Sequence, residues 1–125
     1  CNGGPELCIK DYLMHCISIN LPDHPIPDCK PLIDWFLMEY LSDYSVDLTV
    51  VYMDLSDEGV DGWCWREEDH EFIIQIDERL DGAEHTKTIL HELYHVFQHL
   101  KNIPRCEMCA NLSEEQNLDR YTKGL

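Results

Sequence analysis

The most chemically informative stretch is His91-Glu92-Leu93-Tyr94-His95. A helical turn advances 3.6 residues, so histidines four apart project from one face and their imidazoles can converge on one ion. Glu92 stands beside that face, better placed to take a proton from a water molecule on the ion than to bind the ion itself. The spacing is that of a zinc-binding helix. A catalytic zinc takes three protein ligands and keeps one position open, so a third ligand is required.

The flanking residues support a helix. Leu90, Leu93, Phe97 and Leu100 recur at the three-and-four spacing of a buried stripe. Asp81-Gly82 reads as a turn before it, and Asn102 and Pro104 as a stop signal after it. The expected active-site helix covers residues 83–101. Downstream, Ser113 followed by Gln116 forms a capping-box pattern that predicts a second helix over residues 113–122. Glu115 and Asp119 lie one turn apart on it. Glu115 is the expected third ligand. Asp119 is expected to accept a hydrogen bond from the outer nitrogen of a ligating histidine, fixing its tautomer. The bland reading of this acidic run is a solvated terminal helix.

The combination of His91, Glu92 and His95 with Glu115 and Asp119 resembles the gluzincin metallopeptidases, thermolysin-like in their zinc site. The short format is similar to minimal single-domain gluzincins, and residues 115–122 are similar to the glutamate helix of the ImmA/IrrE family. The resemblance covers about the last forty residues and is specific only at the motif positions. It implies one catalytic Zn2+ and a peptide or protein substrate hydrolysed with Glu92 as general base. It also implies a cleft lined by the strand before the motif helix. A peptide could add to such a strand, which makes Ile73, Ile74 and Gln75 candidate substrate-binding residues, with an ordinary internal strand as the equal alternative. For the developing oxyanion, Tyr121 is preferred over Tyr94, His99 and Arg120.

Related zinc helices differ at checkable positions. A metzincin would carry glycine three and histidine six residues beyond His95, where this chain has Gln98 and Lys101. His99 lies roughly 12 Å along the helix from His91, too far to share one ion, and is expected at the cleft edge. A deformylase-like enzyme would recruit an upstream cysteine, for which Cys64 is the nearby candidate. Cys106-Glu107-Met108-Cys109 supplies two thiols where a closed structural zinc site needs four ligands. A disulfide, a redox pair or buried thiols suit it better. His15, His24, His70 and His85 have no ligand spacing and are expected at the surface or in caps.

The elements that must position the motif follow from pattern. Residues 71–77 are short, apolar and β-branched, hence a strand, and residues 63–66 could pair with it as a hairpin. Residues 48–53 form another strand. Residues 31–44 carry Leu32, Trp35, Phe36, Met38, Tyr40 and Leu41 in an amphipathic helix that would cover the sheet. A strand at 14–19 and a helical start near Glu6 are weaker signals within an N-terminal extension of residues 1–30, whose prolines fit a loop. The expected fold is a small zincin-like α+β single domain over residues 1–125, with a short, mostly antiparallel sheet.

Composition bounds the partners. The chain has 125 residues, 9 basic and 25 acidic, a formal charge of −16 that argues against phosphate-backbone binding. Nucleic acid is therefore an unexpected partner, whereas basic or neutral peptides suit the acidity. No apolar run is long enough to span a membrane. A monomer is expected. Seven irregularly spaced cysteines do not imply a complete disulfide framework, which favours a reducing, cytoplasmic interior. Because the first residue is Cys1, the lack of a leader is uninformative. Two other functions fit the same residues: a catalytically inactive, metal-stabilised binding module of phage-regulator type, and an amidase or deformylase acting on small substrates.

Overall fold

The computed structural model describes residues 15–22, 25–26 and 28–124. Strand β1 (Cys16–Asn20) leads to helix α1 (Lys30–Tyr40), then to β2 (Asp47–Met53). After a single 3-10 turn the chain forms β3 (Gly62–Glu68) and β4 (Glu71–Asp77), and ends in helices α2 (Gly82–Leu100) and α3 (Glu107–Lys123). Among the described residues, three helices and a four-stranded sheet make the fold α+β. The segment around Glu6 lies outside the described residues. No described helix is long and apolar enough to cross a membrane.

The sheet order is β1-β2-β4-β3. β1 and β2 are parallel, β2 and β4 are parallel, and β3 alone runs antiparallel, beside β4. The expected mostly antiparallel sheet is thus corrected to a mostly parallel one. The cause is connectivity: α1 carries the chain back between β1 and β2, which makes that pair parallel. β4 then inserts beside β2 and pushes β3 to the outside.

Alternation in β2 and β4 buries Leu48, Val50 and Tyr52 with Phe72, Ile74 and Ile76. Against them pack Leu32, Ile33, Phe36 and Leu37 of α1, and Ile89, Leu90, Leu93, Val96 and Leu100 of α2, in one core cluster. Tyr40 meets Phe97 with ring centroids 5.8 Å apart, joining α1 to α2. Asn102, at φ 57, takes the left-handed conformation that ends a helix, which is why α2 stops where the stop signal stands.

Two histidines differ from expectation. His85 is buried in the first turn of α2, its Nε2 2.6 Å from the Tyr52 hydroxyl, because the helix start is pressed against β2. Tyr52 also donates to Cys29 Sγ at 3.3 Å. His99 stacks near Phe72, at 5.8 Å, and does not line the cleft. His15 donates from Nε2 to Leu41 O, and His70 lies beside the Tyr44 ring. His24 lies outside the described residues. Cys16 is disulfide-bonded, whereas Cys29, Cys64, Cys106 and Cys109 are free.

Candidate metal centre

His91 and His95 project from α2 toward the first turn of α3, with ring centroids 4.9 Å apart. Glu107 reaches both: its Oε1 lies 3.1 Å from His91 Nε2 and its Oε2 2.9 Å from His95 Nε2. Candidate ligand atoms of His91, His95 and Glu107 all fall within 4.8 Å of one another, the one such group among the described residues. The same Nε2 of both histidines therefore faces one carboxylate.

The hydrogen bonds around His95 define what that geometry needs. Gln98, almost fully buried, donates from Nε2 to Cys106 O at 3.3 Å, so its Oε1 is the atom turned to His95 Nδ1, at 2.8 Å. An amide oxygen only accepts, so Nδ1 carries the proton and Nε2 presents a lone pair. Burial lowers the His95 pKa, which favours the neutral ring, against the opposite pull of Gln98 and Glu107. His95 Nε2 is buried without a hydrogen-bond partner even though Glu107 Oε2 lies close. A lone pair and a carboxylate oxygen held at that distance are stabilised by a proton or a cation between them, and two imidazole nitrogens with a carboxylate are a donor set that could hold a metal ion such as zinc.

Glu92 occupies the neighbouring position. It is 4 % exposed, and its Oε1 is also buried without a partner. Burial pushes its carboxyl up to about 8, against the pull of Arg105. Directly over it passes β3: a Cβ on Gly62 would lie 2.9 Å from Thr88 Cγ2, 3.0 Å from Gln75 O and 3.3 Å from Glu92 Cγ. The absence of a side chain at Gly62 is what lets the strand approach the helix so closely.

These groups open on a cleft of about 530 Å³ rimmed by Val60 to Trp63 on one side and by Arg105, Asn111 and Glu114 on the other. Arg105 donates from Nε to Glu107 and from Nη1 to Cys64 O, tying the loop before α3 to β3. Glu114 Oε2 stands 3.9 Å from His91 Nδ1, on the side of the ring away from Glu107 but beyond hydrogen-bond distance.

The structure therefore brings together His91, Glu92 and His95, and puts Glu107 where Glu115 was expected. Glu115 lines the cleft but pairs with Lys87 at 2.8 Å, and Asp119 pairs with Lys123 at 2.9 Å on the exposed side. The reason is the rotation and start of α3. Ala110, Ser113 and Asn117 form its buried stripe, with Asn117 Nδ2 donating to Ser113 Oγ at 2.8 Å and Tyr40 donating to Asn117 Oδ1. That leaves residues 107, 111 and 114 on the cleft face. The helix begins six residues before the expected start because Cys106 caps it, its Sγ accepting from Cys109 N at 3.1 Å. Ser113 is interior, and no capping box operates there.

Other expectations also shift. Tyr121 packs edge-on against Trp35 at 5.4 Å, and Arg120 bonds to Glu39 and to the Tyr40 hydroxyl, so neither lines the cleft. Tyr94 lines a different groove with Phe97 and Leu112. Ile73, Ile74 and Gln75 do not form an edge: β4 is paired on both sides, with Thr49, Val50 and Val51 on one and Trp65, Cys64 and Trp63 on the other. Cys64 is buried in β3 and outside the ligand group.

No family model, curated protein or solved structure matches the chain.

Proposed function

We propose that this protein is a zinc-dependent peptide hydrolase of zincin-like, gluzincin type, with His91, His95 and Glu107 as the metal ligands. The observation that carries the reading is the convergence of His91, His95 and Glu107, with His95 Nε2 2.9 Å from Glu107 Oε2, beside the buried and unpartnered Oε1 of Glu92. Zinc bound there would supply Lewis acidity, polarising a scissile carbonyl and making water easier to deprotonate. Glu92 accepts the proton of the attacking water and delivers it to the leaving amine, a two-way role for a buried carboxylate beside the histidine pair whose Oε1 has no other partner.

The remaining residues hold the reactants. Gln98 fixes the His95 imidazole from behind, Glu114 faces His91 Nδ1 at 3.9 Å, and Arg105 offers a guanidinium on the cleft wall for negative charge developing on the carbonyl oxygen. Among the described residues β3 pairs with β4 alone, so an extended peptide has its outer edge, next to Trp63, as a docking rail. Asp61, Glu84 and Glu114 line the cleft and favour basic side chains in the substrate.

The test combines elemental analysis with a peptide-library cleavage assay on the wild-type chain and Glu92→Gln. The expected result is one zinc per chain in both, and cleavage that falls by about 10²–10⁴ in the variant. Zinc without any cleavage by the wild type would turn the reading into a metal-stabilised binding module. Cleavage of formylated peptides alone would make it a deformylase-like amidase.

A further inference from the structure

We propose that Cys106 and Cys109 form a reversible dithiol–disulfide couple that reacts by thiol exchange with small-molecule disulfides, independently of the metal reading. Both thiols are free, Cys106 half-buried and Cys109 exposed. The other free cysteines among the described residues, Cys29 and Cys64, are each 4 % exposed and closed to reagents. Cys106 is the cap of the 17-residue α3 and Cys109 is its third residue. Cys109 N donates to Cys106 Sγ at 3.1 Å, so the sulfur lies folded over the first turn, and the two thiols are within hydrogen-bonding reach of each other.

Ring closure is sterically open for a specific reason. Residues three apart inside a helix hold their Cβ atoms roughly 5–6 Å apart, whereas a disulfide needs about 3.5–4.5 Å. Cys106, at φ −139 and ψ 111, lies outside the helix, so its Cβ can close on Cys109 without unwinding a turn. The Cys109 amide that donates to Cys106 Sγ fixes that sulfur at the mouth of the helix and can donate equally to the charge it bears during exchange, which makes Cys106 the attacking sulfur.

The Cys106 thiolate attacks one sulfur of a disulfide RSSR, forming a mixed disulfide and releasing RS−, which takes up the proton that Cys106 gave to solvent. The Cys109 thiolate then attacks the Cys106 sulfur and expels the second RS−. Two protein thiols are oxidised to one disulfide as RSSR is reduced to two RSH.

The experiment treats the full chain with glutathione disulfide, alkylates the remaining thiols and maps the peptide spanning residues 106–109 by mass spectrometry. The expected product is an internal Cys106–Cys109 disulfide, reversed by dithiothreitol, with Cys29 and Cys64 still alkylatable only after denaturation. Cys109→Ser, an exposed change, should instead accumulate a stable glutathione adduct on Cys106. A persistent adduct in the wild type, no reaction at either thiol, or zinc protecting both thiols from reagent would each overturn the proposal, the last in favour of thiolate metal ligation.

Discussion

The deciding residue is Gln98, because its amide orientation determines which nitrogen of His95 carries a proton. Gln98→Leu removes the acceptor for His95 Nδ1 and frees the ring to protonate the other nitrogen. Zinc affinity should fall about 10–100-fold, the usual cost of losing a partner behind a metal ligand, with circular dichroism unchanged. Equal affinity would mean that His95 is held by packing alone. The histidine pair and Glu92 were legible in sequence because their relation is set by one helical turn. Glu107 was not: it depends on a thiol acting as the helix cap, and Cys106 does not read as a capping residue beside Ser113. The signal that could have found it is an acidic residue in the first turn of a helix that starts soon after Pro104.

At the scale of elements, the site depends on how closely β3 passes over α2. Gly62→Ala places a methyl 2.9 Å from Thr88 Cγ2 and 3.0 Å from a backbone oxygen, and only the threonine can yield. The expected cost is about 1–3 kcal/mol of stability, read as a lowered melting temperature, with activity reduced further because Glu92 is displaced. A variant as stable and active as wild type would show that the strand moves freely. The Tyr52–His85 bond ties β2 to the start of α2 and gives a pH dependence. Burial holds the His85 pKa below its ordinary value, so below about pH 6.5 the unfolded chain binds more protons than the folded one. Stability should therefore fall as pH drops through 6.5 toward the folded value, and His85→Gln should flatten that part of the curve in chemical denaturation. Strands and helices were largely readable from local periodicity. Strand direction was not, because it follows from the α1 crossover and the insertion of β4, which involve residues distant in the chain.

For the whole molecule, charge is the dominant property. A formal charge of −16 and the carboxylates of Asp61, Glu84 and Glu114 at the cleft predict faster cleavage of peptides bearing Lys or Arg than of matched peptides bearing Asp or Glu. The preference resides in kcat/KM and should shrink as ionic strength rises, since the Debye length falls from about 10 Å at 0.1 M to about 3 Å at 1 M. A preference insensitive to salt would place specificity in shape, through Trp63, and not in the field. This property was visible in composition, whereas its focusing on the cleft required the fold.

The proposed site takes Glu107, and not Glu115, as its third ligand. Zinc titration by calorimetry, run in parallel on the wild type, Glu107→Ala and Glu115→Ala, tests this directly. The predicted result is one site in the wild type, near-normal binding in Glu115→Ala and at least about a 100-fold loss in Glu107→Ala, ligand removal costing no less than loss of an outer partner. Normal binding in Glu107→Ala with loss in Glu115→Ala would contradict it.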